Sequence, residues 1–169
     1  MGMKSLATLA LFALILAVQG AQAQGWSVEP APDDLAVRWV ATVTNEDGHR
    51  LTLWRTIKRI KFQAMMRLEL QGQTPAQDPL PELAIDDTDF RPIENWGTET
   101  VSFNGNRVTW LLWSATYPEI GPDDSLQAWM RGSQVTVRYH TGKGTRDQAT
   151  FSLAGSANAI QRIVTGTYK

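Results

Sequence analysis

From Ile60 to Leu70 every second residue is apolar: Ile60, Phe62, Ala64, Met66, Leu68 and Leu70 alternate with Arg59, Lys61, Gln63, Met65, Arg67 and Glu69. A period of two puts one set on each side of a pleated strand, so the pattern predicts a long strand with one face in a core and the other in water. The same period recurs at Leu35, Val37, Trp39, Ala41 and Val43, and again at Leu51 and Leu53. Further copies lie at Leu83 and Ile85, at Val101 and Phe103, at Val135, Val137 and Tyr139, and at Ala149, Phe151 and Leu153. Turn formers punctuate them: Asn45 to Gly48, Asn104-Gly105-Asn106, and the glycine-rich run from Thr141 to Thr145. Asn and Gly tolerate the positive φ that tight hairpins require. One run breaks the alternation. Val108, Trp110 and Leu112 fall on one side, Leu111 and Trp113 on the other, which predicts a central strand covered on both faces.

Two stretches carry helical spacing instead. After Leu153, Gly155 ends the strand and Ser156 offers a hydroxyl as N-cap. Ala157, Ile160, Ile163 and Val164 then share one face, Arg162 lies toward the negative end of the dipole and Gly166 supplies a stop, giving a helix near 156–165. A second short helix is expected near 124–131, with Asp123, Asp124 and Ser125 at its start, Leu126, Trp129 and Met130 on one face, and Arg131 and Gly132 closing it. About nine short strands at this spacing predict an all-β fold, an antiparallel β-sandwich or a partly closed barrel.

The N-terminal segment reads differently. A single charge at Lys4, an apolar run from Leu6 to Val18, and then Ala21, Gln22 and Ala23 have the form of a secretory signal peptide over 1–23, cleaved near Ala23. The rival reading, an uncleaved anchor, needs about 20 apolar residues, more than this run supplies. Residues 24–34 read as an extended, proline-rich lead-in pinned by Trp26, and 35–169 as a single sandwich domain. The expected location is therefore periplasmic or secreted, with no membrane span after cleavage.

Composition narrows the chemistry. The formal net charge is −1, and loss of Lys4 makes the mature chain one unit more negative. That balance speaks against a dedicated nucleic-acid binder, which shows a basic excess. There is no cysteine, which removes disulfides, lipid attachment at an N-terminal cysteine and thiol catalysis. His49 and His140 stand at a hairpin turn and a strand end, ordinary surface positions without metal-ligand spacing. Asp86, Asp87 and Asp89 lack the glycine and closing glutamate of a calcium loop and read as a solvated turn. Ser156 lacks the second glycine of a nucleophile elbow. No catalytic constellation, cofactor motif or metal set is recognised, so a non-enzymatic role is expected.

A surface feature stands above this background. Arg50, Trp54, Arg55, Lys58, Arg59, Lys61 and Arg67 gather on the second and third strands, and alternation predicts that Arg59, Lys61 and Arg67 share the exposed face. A flat, partly aromatic, cationic face suits an anionic envelope component, such as a phosphorylated glycolipid, or an acidic envelope protein. The competing reading is that these charges only solubilise the face and discourage strand-edge pairing. Of the seven tryptophans, Trp39, Trp110 and Trp129 are expected in the core, while Trp54 and Trp96 are candidates for exposed sugar platforms.

Gly25-Trp26 with Asp33-Asp34, the middle strands, and Phe151-x-Leu153-x-Gly155 running into Ala159-Ile160 resemble small periplasmic β-sandwich proteins. The groups they resemble are the invasion-associated locus B family and the secreted accessory proteins found with type VI secretion clusters. Members usually carry cysteines, and this chain has none. The resemblance implies a non-enzymatic envelope protein and transfers no catalytic residue. The expected function is thus an exported interaction or accessory module acting through the basic aromatic face. The alternative is a lipocalin-like barrel carrying a small apolar ligand, although Gly25 and Trp26 are adjacent where the lipocalin signature spaces them by one residue. A small outer-membrane barrel is a third reading, and the run from Trp110 to Trp113 gives it no polar lumen face.

Overall fold

The computed structural model describes residues 25–96, 101–116 and 121–167. The expected signal segment, 1–23, lies outside the described residues. In chain order the strands are β1 (Ser27–Pro30), β2 (Trp39–Thr44), β3 (Arg50–Lys58), β4 (Lys61–Glu69), β5 (Glu82–Ile85), β6 (Arg91–Pro92), β7 (Val101–Asn104), β8 (Arg107–Thr116), β9 (Gln134–His140) and β10 (Arg146–Ser152). Helix α1 (Asp124–Arg131) precedes β9 and helix α2 (Ser156–Thr165) follows β10.

The strands form two separate antiparallel sheets, one of six in the order β1-β2-β3-β4-β8-β7 and one of four in the order β10-β9-β5-β6. This is a β-sandwich, not a closed barrel. The alternating residues meet in its middle. Leu51, Leu53, Ala64, Met66, Leu68, Val108 and Trp110 from the large sheet and Leu83, Ile85, Val135, Val137, Tyr139, Ala149 and Phe151 from the small one are all buried in a single cluster. Each fully buried aliphatic or aromatic side chain contributes roughly 1.5–3 kcal/mol relative to exposure. Trp110, Trp113, Trp129 and Tyr139 are among the largest of the fully buried side chains.

Two details of the β1–β2 region differ from expectation. The lead-in is itself a strand, pairing Ser27 with Thr42 through Pro30 with Trp39, and β2 begins at Trp39, not Leu35. Pro30 is tolerated because β1 is an edge strand. Trp26 does pin this segment: its backbone N–H donates to Ala154 O at 3.0 Å and its indole Nε1–H to Ser152 O at 3.1 Å. Its ring meets Trp129 edge-on at 6.4 Å.

The apolar run in β8 also has a different cause from the one expected. Ala64 pairs with Trp113 but Met65 pairs with Leu111, so Leu112 is an extra residue in a β-bulge. The bulge turns Leu112 and Trp113 both to the core, where they are 0% and 2% exposed, while Leu111 stays half-buried on the outer face beside Met65. Doubled hydrophobicity therefore reflects a shift in phase, not a strand covered twice.

Helix α1 is capped by Asp123, whose side chain accepts from Leu126 N–H at 2.9 Å. Gly132 must follow it, because a Cβ there would lie 2.5 Å from Ile85 Cγ2 and 2.9 Å from Leu153 Cδ1. In α2 the N-cap is Gly155 at φ 80, and Ser156 is buried with its hydroxyl donating to Trp129 O at 2.8 Å. The serine ties the two helices together instead of capping. Ala157 is exposed and Ala159 takes the buried position with Ile160, Ile163 and Val164. The helix packs on α1 and on β1 to β3, closing one end of the sandwich.

Candidate functional site

The seven basic and aromatic candidates lie on the β3–β4 hairpin: Arg50, Trp54, Lys58, Lys61 and Arg67 share its outer face, with Lys61 and Arg67 together as expected, whereas Arg55 lies on the core side and Arg59 in the turn. The register runs from Arg50 opposite Glu69 to Lys58 opposite Lys61. Alternation along β3 sends Arg50, Thr52, Trp54, Thr56 and Lys58 outward and Leu51, Leu53, Arg55 and Ile57 inward.

Arg55 thus lies on the core side, where the core gives out. Its Nη1 donates to Val164 O at 2.9 Å and its guanidinium stands 5.6 Å from the Phe62 ring centroid. It neutralises the negative end of α2. Gly166 leaves it room, since a Cβ there would be 2.6 Å from Arg55 Nη2.

Arg50 and Arg67 do occupy the outer face, and both are paired. Arg50 bonds Glu29 of β1. Arg67 Nη1 lies 2.9 Å from Asp34 Oδ2, and its guanidinium covers the Trp54 ring at 5.3 Å. Arg107 joins the same carboxylate at 2.6 Å and reaches Glu69 at 3.0 Å. Asp34 belongs to the β1–β2 connection, which these contacts hold against the outer face of the sheet. Trp54 is in consequence only 6% exposed, not an open platform. The Trp96 side chain, the other candidate platform, lies outside the described residues.

The remaining three candidates form a different site. Lys58 and Lys61 face each other across the last register pair, and Arg59 occupies the turn between them at φ 57 rather than a strand face. All three are exposed, and none makes an ion pair among the described residues. Ile57 and Ile60 stand in the same five-residue stretch at 55% and 61% exposed, the exposed large hydrophobics among the described residues. Ile60, expected to open the inward face of β4, is instead a turn residue. From Trp54 to Met66 the chain contains no acidic residue. The pairing of β2 with β3 stops at Ala41 opposite Leu53, so the hairpin end runs on past β2.

Each of these features costs stability. Like charges directly opposite on a hairpin repel. A non-glycine residue in the left-handed region costs on the order of 1 kcal/mol. Isoleucines more than half exposed forgo most of what burial would contribute. Their concentration in five residues is the sort of local conflict that marks a functional site.

The other sequence candidates have structural employment. His49 is 5% exposed, not at the surface, because its Nδ1 accepts the Gln71 N–H at 2.9 Å and its ring lies edge-on to Tyr139 at 6.5 Å. Tyr139 donates from its hydroxyl to Gln73 Oε1 at 2.7 Å, and Gln73 Nε2 donates to Asp147 at 2.9 Å. Asp86, at φ 51, accepts from the Ser133 and Gln134 N–H groups at 2.9 and 3.0 Å, joining the Asp86–Asp89 turn to the start of β9. No helix among the described residues is long and apolar enough to cross a membrane. In comparison with known proteins, no family model, curated protein or solved structure matches the chain.

Proposed function

We propose that this protein is an exported, non-catalytic interaction module of the cell envelope, and that it binds an anionic envelope component through the turn end of the β3–β4 hairpin. The observation that carries the reading is the coincidence of three exposed cations without an ion-pair partner among the described residues, Lys58, Arg59 and Lys61, with two exposed isoleucines, Ile57 and Ile60, in one five-residue stretch. The single cluster of large buried side chains between two separate sheets supports a surface-binding role over that of a carrier with a barrel lumen. The signal-like segment at 1–23 and the likeness of the Phe151 to Ile160 stretch to small periplasmic sandwich proteins support the location.

Co-sedimentation of the mature chain with envelope fragments tests the proposal. Replacing Lys58, Arg59 and Lys61 together by Gln is expected to abolish binding, while Arg50→Gln, whose guanidinium is already engaged by Glu29, is expected to leave it intact. Equal binding by the triple variant and the parent overturns the reading.

A further inference from the structure

The hairpin end carries two chemistries that a single kind of target satisfies. Resting on the reading that this end is the binding element, we infer that its target is an anionic bilayer surface: Ile57 and Ile60 enter the boundary between headgroups and acyl chains, while Lys58, Arg59 and Lys61 hold lipid phosphates. A soluble acidic protein or a hydrated polyanion matches the cations alone and leaves two isoleucines, 55% and 61% exposed, facing water or carboxylates. A bilayer accepts both sets at once, because its apolar and anionic layers are stacked within a few ångströms.

The geometry fits that stacking. Ile57 and Ile60 flank Lys58 and Arg59 around a two-residue turn, so apolar and cationic groups leave the same end of the hairpin. At about 3.3 Å per strand residue, the two positions from Ile57 to the turn span roughly 7 Å. Interfacial elements sink to a similar depth, about 5–10 Å. The absence of any acid from Trp54 to Met66 means that no carboxylate on the turn half of the hairpin opposes approach to a negative plane. One apolar element by itself gives marginal membrane affinity, and adding a cationic patch is what makes the attachment hold. The attachment is accordingly peripheral, reversible and sensitive to salt.

Because the chain has no cysteine, a single Ile60→Cys substitution in the mature protein can be labelled uniquely with an environment-sensitive fluorophore. Lys143→Cys, in the β9–β10 turn of the other sheet, serves as the control site. With vesicles of equimolar phosphatidylglycerol and phosphatidylcholine, the probe at 60 is expected to shift to the blue and the probe at 143 to remain unchanged. Vesicles of phosphatidylcholine alone are expected to give no shift. Raising salt from about 0.1 M to about 1 M, which shortens the screening length from about 10 Å to about 3 Å, should release the protein. In flotation of the unlabelled chain, Ile57→Ser with Ile60→Ser should weaken vesicle binding at least about tenfold. Neutralising the three cations should weaken it by about fivefold for each one removed. Both sets lie at exposed positions, so the fold is expected to be kept, which circular dichroism of the variants checks.

Failure of the parent chain to bind the anionic vesicles, or equal binding by the double isoleucine variant, overturns the inference. Loss of envelope binding in the triple cation variant without any vesicle binding by the parent points to an acidic protein partner; it overturns the bilayer target while leaving the hairpin end as the binding element. Dimerisation that the isoleucine substitutions abolish, with no vesicle binding, likewise overturns it.

Discussion

Asp34 holds Arg67 at 2.9 Å across the outer face of the large sheet, and through that contact keeps a guanidinium over the ring of Trp54. The carboxylate is shared with Arg107 at 2.6 Å, so a single side chain from the β1–β2 connection anchors residues on two neighbouring strands. Desolvation draws the Asp34 carboxyl upward, but the Arg67 hydrogen bond and the charges of Arg67 and Arg107 outweigh it and hold the group below its ordinary value. A folded value below the unfolded one gives stability that is complete above about pH 4 and lost as pH falls through the lowered value.

Asp34→Asn is therefore expected to destabilise the protein near neutrality by about 1 kcal/mol, the range for partly exposed ion pairs. Urea unfolding of parent and variant at pH 7 and again in the acid range checks this. The gap between them should close as the parent carboxylate becomes protonated; a gap that persists unchanged in acid would falsify the ion-pair account.

Trp113 and Leu111 offer a test of the bulge. Regular alternation puts them on the same face, whereas the extra residue Leu112 places Trp113 in the core and leaves Leu111 half-buried outside. Trp113→Ala is expected to cost about 3–5 kcal/mol, as for other large core truncations. Leu111→Ala should cost less than about 1.5 kcal/mol, since it gives up only part of a buried side chain. Comparable losses at the two positions in denaturant titrations would restore the unbulged strand.

Arg55 looks like a member of the cationic cluster in sequence and behaves as a helix cap in the structure. Arg55→Met keeps the side-chain length but removes the hydrogen bond to Val164 O and the positive charge at the end of α2. The expected loss is about 1–2 kcal/mol. Hydrogen exchange should speed up over the last turn of α2, and binding by the hairpin end should not change. Unaltered exchange there would mean that the cap carries no load.

At high pH the sensitive group is Tyr139. Burial, followed by the charges of Asp147 and Asp47, pushes its hydroxyl up to about 12. The unfolded chain then loses this proton first, so folded stability declines from about pH 10 upward, through the raised value. Tyr139→Phe should cost about 1–2 kcal/mol at pH 7, because Gln73 Oε1 loses its donor. The difference between parent and variant is expected to shrink above pH 10. A constant difference across that range would remove the hydroxyl from the alkaline transition.

The alternating pattern was enough to read the sandwich, both helices and most of the core, because a period of two with one buried face leaves little freedom in where side chains point. Leu51, Met66, Val137 and Phe151 are all where alternation places them. The failures share a cause. Residues 111–113 break phase at a bulge, and a bulge depends on the partner strand. Arg55, Trp54 and His49 look like surface groups in the sequence because nothing local announces Val164, Asp34 or Gln71, which approach from 109, 20 and 22 positions away in the chain. The cations of the hairpin end were visible in sequence. Their separation from Arg50 and Arg67, which are paired, and their union with Ile57 and Ile60 were not, since alternation assigned Ile60 to the core.

The hydrogen bonds from Trp26 to Ser152 and Ala154 join the beginning and the end of the described fold. The order in which the molecule takes shape follows from that. The β3–β4 hairpin and the β1–β2 pairing can form from neighbouring residues as soon as they are free, but the backbone and indole N–H groups of Trp26 find their acceptors only when the end of β10 arrives. Contacts this distant in sequence make folding slow and late. A chain released from its N-terminal side can therefore pair β1 to β4 with one another early, while the clasp of Trp26 on Ser152 and Ala154 waits until β10 has emerged.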